Sequence, residues 1–275
     1  MRKIYSEDDA KLLQADIDIL DNWSKKWLLR FHPDKCHVLT IGKFENISHT
    51  ERYKLGNTEL EHVFEEKDLG VMIDSDMKFD QHNSAKVKKA NSIAGLIRRS
   101  FSFLDGLLFK QLFTTLVRPH LEYCQSVWSP HLRKDINLIE SVQKRATKMI
   151  DSFKHLTYEE RLRKLNMPTL VFRRLRGDMI EIFKHYQSYD RKSLSNCFRP
   201  RCAPGRRHNF QLERNFAKGG LRGVQHNSFY FRTIKTWNEL PKAVVDSETL
   251  NTFKNRLDEH WKNHPLRFNY DHPQI

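Results

Sequence analysis

The chain has 275 residues and carries 48 Lys and Arg against 34 Asp and Glu, a formal net charge of +14. That length allows one large or two ordinary domains with a sizeable core, and the charge suits a polyanion such as nucleic acid. No apolar run approaches the roughly 20 residues of a membrane span, the start lacks an apolar signal region, and four cysteines (Cys36, Cys124, Cys197, Cys202) are too few for a disulfide scaffold. The expectation is an intracellular protein, nuclear or cytoplasmic, with no membrane partner.

In chain order, Ser6 is placed to cap a helix, with Glu7 and Asp8 in its first turn. Leu13, Ile17, Leu20, Trp23 or Trp27, and Leu28 give that helix an apolar face, and Pro33 predicts an end near Arg30. Cys36 to Ile41 reads as a strand. Tyr53 to Leu55 and Thr58 to Val63 read as a hairpin about Gly56-Asn57, and Leu69 to Ile73 as another short strand.

From Phe79 onward helices dominate. Val87, Ala90, Ala94 and Ile97 share one face, while Lys86, Lys88, Lys89, Arg98 and Arg99 supply charge. Between Arg98 and Ile150, three apolar segments are punctuated by Pro119 and Pro130. The first places Leu108, Leu112, Phe113, Leu116 and Val117 on one face. The last does the same for Ile136, Ile139, Val142, Ala146, Met149 and Ile150, leaving Lys144, Arg145 and Lys148 off the stripe. A basic outer face follows, which is either a solvated helix surface or a binding face. Tyr158 to Leu165 is a short helix. Pro168 suits the start of a longer one over Leu170 to Tyr186, with Leu175, Met179 and Phe183 inward and Arg173, Arg174 and Arg176 near its beginning.

Between Arg191 and Arg232 there are ten Lys or Arg and one acidic residue, with glycines and prolines interspersed. This reads as a basic loop or arm. Arg206 and Arg207, with Phe198, Phe210, Phe216 and Phe229 interleaved, suit phosphates and stacked bases. Two helices close the chain, one from Phe229 to Leu240 and one from Glu248 to Trp261 with Ser247 as its cap.

No self-sufficient active site is visible. Tyr5-Ser6-Glu7-Asp8-Asp9 has no strand before it for a catalytic carboxylate hairpin, so its acids read as helix caps. Asp74-Ser75-Asp76 reads as turn chemistry, because oxygen-ligated metals need more converging groups. Cys197 and Cys202 lack a second Cys/His pair at zinc spacing. No phosphate-binding glycine motif occurs.

The strings DIDILDNWSKKWLLRFHPDKCHVLTIG, KDLGVMIDSDMKFDQH, KKANSIAGLIRRSF, LVRPHLEYCQSVWSP, LIESVQKRATKMI, YEERLRKLNMPTL, RRLRGDMIEIFK and FRTIKTWNELPKAVV with TFKNRLDEHW resemble, in order, the C-terminal part of the polymerase protein of LINE-type, jockey-like non-LTR retrotransposons. The resemblance covers essentially the whole chain. It implies the last palm strands of a reverse transcriptase, a helical thumb and a helical C-terminal region, so a mainly α fold with a small antiparallel β part. The implied organisation is a residual palm segment over 1–75, a thumb-like domain over 76–152, a helical extension over 153–189, a basic loop or arm over 190–227 and a helical pair over 228–275. Lys35 matches the family's nucleotide-proximal lysine, and Leu69-Gly70-Val71 resembles the primer-grip hairpin. The fingers and catalytic aspartates of the family precede the matching region, as does the endonuclease.

The resemblance implies a truncated RNA-directed DNA polymerase, inactive alone, that binds RNA or an RNA–DNA template–primer. The nucleic-acid-binding candidates are Lys88, Lys89, Arg98, Arg99, Lys144, Arg145, Lys148, Arg173, Arg174, Arg176, Arg206 and Arg207. No cofactor is expected on this chain alone, Mg belonging to the complete polymerase. A non-catalytic RNA or RNA–DNA binding module and an expressed fragment without function remain alternatives.

Overall fold

The computed structural model describes residues 2–42, 52–187, 201, 208–213 and 226–272. It is mainly helical and divides into two units, Met1–Lys78 and Phe79–Ile275.

In the first unit, helix α1 (Glu7–Lys26) opens on a reciprocal cap. The Asp9 N–H donates to Ser6 Oγ at 3.3 Å, and the Ser6 N–H donates to the Asp9 carboxylate at 3.0 Å. The helix ends at Lys26, earlier than the expected Arg30. Leu28 takes a left-handed φ of 58°, its N–H donates to the Lys25 carbonyl, and that of Leu29 donates to the Ser24 carbonyl. This is the closing turn usually built on glycine, so no glycine or proline marks the stop. Ala10, Leu13 and Ile17 pack with Ile4, Cys36, Val38, Tyr53, Leu55 and Leu60. The rest of the expected face, Leu20, Trp23, Trp27 and Leu28, is exposed, because the strands opposite are too short to cover twenty residues of helix.

The strands are β1 (His37–Leu39), β2 (Lys54–Leu55), β3 (Thr58–Glu59), β4 (Glu61–Val63), β5 (Glu65–Asp68) and β6 (Val71–Asp74). The pairs β2–β3 and β5–β6 are antiparallel hairpins. The expected strand over Thr58 to Val63 instead breaks at Leu60, and β4 pairs with β1 in parallel. The β part is therefore not wholly antiparallel. The long connection from Leu39 to Glu61 supplies the crossover that a parallel pair needs. The strand expected from Leu69 begins at Val71, since Leu69 and Gly70 form the β5–β6 turn with φ of 44° and 83°.

The second unit begins with α2 (Asp80–Ser100), which buries Val87, Ala90, Ala94 and Ile97 as its periodicity predicts. Helix α3 (Gly106–Leu112) is capped by Asp105 and runs through a π-turn (Phe113–Val117) into α4 (Arg118–Glu122). Pro119 sits in the first turn of α4, where its missing N–H is tolerated, so it does not end the helical run. The buried face is Phe109, Phe113, Val117 and Leu121, while Leu116 is exposed. The wider π-turn keeps a spacing of four residues on one side of the run.

Helix α5 (Gln125–Trp128) and α6 (Arg133–Ala146) follow, then α7 (Tyr158–Leu165) and α8 (Leu170–Gln187). The chain closes with α9 (Phe229–Glu239), α10 (Lys242–Val245) and α11 (Leu250–His260). Ser247 does not cap α11. Its hydroxyl donates to the Val244 carbonyl, and Thr249 accepts the capping bond from the Thr252 N–H instead. The larger core packs α8 against α9 to α11 through Phe172, Met179, Phe183, Trp237, Phe253 and Trp261.

A buried carboxylate joins α6 to α8. Glu140 accepts the Leu170 N–H at 3.0 Å and the Tyr158 hydroxyl at 2.6 Å, so one anion caps α8 from outside its own chain segment. Burial pushes the Glu140 carboxyl up, against the opposing effects of Tyr158, Arg174 and the Leu170 N–H. Arg174 is itself buried, and burial draws its guanidinium down while Glu140 and Asp178 oppose this. Glu140→Ala leaves Arg174, Tyr158 and the start of α8 without their shared anion. Chemical denaturation is expected to show a loss of roughly 3–5 kcal/mol; a loss below about 1 kcal/mol contradicts this role.

His82 is buried against the Trp128 ring, with centroids 5.0 Å apart. Burial, with Lys86 adding to it, lowers its pKa from 6.5 to about 4. The unfolded chain protonates His82 first, so this residue makes stability fall as pH drops from about 6.5 to about 4. Urea melts of His82→Gln and the parent chain at pH 7 and pH 4.5 are expected to differ most in the variant's favour at the lower pH. An unchanged difference contradicts the assignment.

Candidate nucleic-acid interface

Helices α2 and α6 pack side by side. Lys134 Nζ reaches Asp80 at 2.9 Å, and Arg145 Nη2 donates to Asn91 Oδ1 at 3.2 Å. The second contact lies eleven residues beyond the first on both helices. The two therefore run in the same direction and in register over about 16 Å. Their inward sides carry Val87, Ala90, Ala94 and Ile97 from α2 and Ile136, Ile139, Val142 and Ala146 from α6, with buried polar groups such as Asn83, Glu140 and Gln143 among them. Their outward sides carry Lys88, Lys89, Arg98 and Arg99 from α2, and Lys144, Arg145 and, just past its end, Lys148 from α6, all exposed.

None of these seven cations has an acidic partner among the described residues. Arg145 is held by neutral oxygens, those of Asn91 and Ser141, which orient it without neutralising it. No Asp or Glu occurs between Asp80 and Asp105. Part of this charge has a local use, since Arg98, Arg99, Lys144 and Arg145 lie in the last turns of their helices and complement the helix dipoles. Lys88 and Lys89 are mid-helix and have no such role. Along α2 the outward cations Lys88 and Arg99 bracket the small residues Ser92 and Gly95. Asn91, Ser92, Gly95 and Ser141 were not among the expected site residues. Their spacings of three, four and seven residues from Lys88, and of four from Arg145, were the available signal.

The arginines of α8 stand in ion pairs and burial within the fold. Arg174 is buried beside Glu140 and Asp178 and has no access to a ligand in bulk solvent. Arg173 makes a two-pronged pair with Glu122, and Arg176 does so with Asp258 at 2.5 and 2.7 Å. Arg173 and Arg176 line a cleft of about 360 Å³ with Glu122, Asp178, Glu181 and Lys184, so its charges are balanced. Arg232 pairs with Asp178, whose carboxyl burial raises to about 6 against the lowering effect of that arginine.

Lys35 is exposed at the end of a 3₁₀ turn (Pro33–Lys35) in the first unit. Arg206 and Arg207, with Phe198, Phe216, Cys197 and Cys202, lie outside the described residues. Of the other aromatics of the arm, Phe210 meets Tyr186 edge-on and Phe229 packs on the α8 core.

The acidic residues singled out in the sequence have local partners. Asp9 closes the α1 cap. Asp74 accepts the N–H groups of Asp76 and Lys78, and Asp76 pairs with Lys78 Nζ at 2.6 Å. Among the described residues no group of three or more His, Cys, Asp or Glu converges on one point. No helix there is long and apolar enough to cross a membrane. Compared with models of protein families, with curated proteins and with solved structures, the chain finds no match.

Arg173→Ala and Arg176→Ala are each expected to lower stability by about 1 kcal/mol and to leave nucleic-acid affinity unchanged. Thermal melts and fluorescence anisotropy on the same preparations check this. A folded Arg176→Ala chain with weakened binding contradicts the structural assignment.

Proposed function

We propose that this chain is the thumb and C-terminal part of a LINE-type, jockey-like RNA-directed DNA polymerase, and that it binds RNA or an RNA–DNA template–primer without catalysing polymerisation alone. The single observation that carries the binding is the outward side of α2 and α6, where seven cations stand without acidic partners among the described residues. Ancestry is carried by the ordered strings of sequence from DIDIL to TFKNRLDEHW. The β5–β6 hairpin followed by a helical region with a cationic side is the arrangement that this ancestry implies.

The chemistry is electrostatic. Lysines and arginines on a helical surface neutralise phosphates and release counterions, which binds any sequence and weakens with salt. Lys35 is the position at which an incoming nucleotide would meet this chain in the complete enzyme. The site of action is nuclear or cytoplasmic in this reading.

The test measures affinity for an RNA–DNA hybrid by anisotropy over a salt series. Wild type is expected to bind several unrelated sequences alike. Lys144→Glu, Arg145→Glu and Lys148→Glu together are expected to weaken binding to all of them, and the salt slope is expected to fall by about 0.9 for each phosphate the variant no longer neutralises. No primer extension is expected with Mg present. Absence of binding near 0.1 M salt, or an unaffected triple variant, overturns the reading.

A further inference from the structure

The cationic row of α2 leads into an apolar loop. Arg98 and Arg99 close the helix. The guanidinium of Arg99 folds back along α2, within 3.5 Å of where a Cβ on Gly95 would stand, which continues the row from Lys88. The chain then passes through Phe101, Ser102, Phe103 and Leu104 to Asp105, the cap of α3.

Leu104 is buried and anchors this segment, but its neighbours project outward. Phe103 is 73% exposed, Phe101 37%, and Leu107 in the first turn of α3 70%. A single exposed apolar side chain needs no explanation. Here two phenyl rings and a leucine lie within seven residues, directly after two arginines without acidic partners among the described residues. The nearest acid in sequence, Asp105, is held by the Leu108 N–H at 2.8 Å.

Exposed phenyl rings that follow two unneutralised arginines in the chain fit a nucleotide whose base face is uncovered. Inside a paired duplex the base faces cover one another, so a phenyl ring on the protein surface meets one only at a duplex end or on an unpaired strand. We propose that the 101–107 loop is a stacking site for an unpaired base at a duplex–single-strand junction. Phe103 is the platform, Phe101 and Leu107 flank it, and Arg98 and Arg99 hold the adjoining phosphates. The inference rests on the reading of the α2–α6 side as a nucleic-acid interface, and specifies the kind of nucleic-acid end held there.

The experiment uses the full chain and two probes, a blunt RNA–DNA hybrid and the same hybrid with a short single-stranded overhang whose first nucleotide is 2-aminopurine. Wild type is expected to prefer the overhang and to change 2-aminopurine fluorescence on binding. Phe103→Ala is expected to weaken overhang binding roughly 5- to 150-fold, the range for one base stacked on an aromatic ring. The blunt hybrid exposes only its terminal base pair, so its affinity should fall less than that of the overhang; the salt slope should stay as in wild type, and Phe103→Trp should retain the preference. If the blunt hybrid binds but Phe103→Ala treats the overhang as wild type does, or weakens both probes equally, the stacking site is overturned and the cationic interface stands. If wild type binds neither probe, both fall.

Discussion

The second unit depends on one buried anion. Glu140 gives its carboxylate to the first N–H of α8, to the Tyr158 hydroxyl and to the neighbourhood of Arg174. Removing a carboxylate from water is expensive. It is offset here by a helix start, a hydroxyl and a guanidinium at one point. The consequence for α6 is geometric. With Ile136, Ile139, Glu140 and Gln143 directed inward, the 3.6-residue period puts Ser141, Lys144, Arg145 and Lys148 on the other side. The same arrangement is reinforced from the end of the helix, where buried Arg161 donates to the Lys144 carbonyl and to Thr147 Oγ1. The cations of α6 are thus outward because the polar atoms of the same helix have inward work.

Two populations of basic residues follow. Those of α8 and α9 meet acids from distant parts of the chain: Glu122 for Arg173, Asp258 for Arg176 and Asp178 for Arg232. They fasten helices together. The seven outward cations, Lys88, Lys89, Arg98, Arg99, Lys144, Arg145 and Lys148, meet none among the described residues. Net charge does not distinguish the populations, and neither does local charge density. What separates them is whether the fold brings a carboxylate to each cation. In the proposed function, a polyanion is the partner that supplies the missing charges.

This division also marks what was legible in the sequence. Periodicity located the helices and their inward residues where the signal is local: Val87, Ala90, Ala94 and Ile97 in α2, the stripe of α6, and both ends of α7. The capping role of Ser6 and Asp9 was equally local. Errors arose where the deciding contact is remote or atypical. α1 stops on a leucine in the left-handed region. Pro119 is absorbed by a π-turn, and β4 leaves its hairpin for a distant parallel partner. The ion pairs of Arg173 and Arg176 were not legible either: their acids lie 51 and 82 residues away, and no spacing rule shows them. The outward cations were legible because nothing remote intervenes.

The most direct measurement maps which lysines the nucleic acid covers. Lysine acetylation of the chain, free and bound to an RNA–DNA hybrid, reads every lysine in one experiment by mass spectrometry. The account predicts protection of Lys88, Lys89, Lys144 and Lys148, while Lys254 and Lys262 of the C-terminal region react as in the free chain. A saturated complex in which the α2 and α6 lysines stay fully reactive contradicts it.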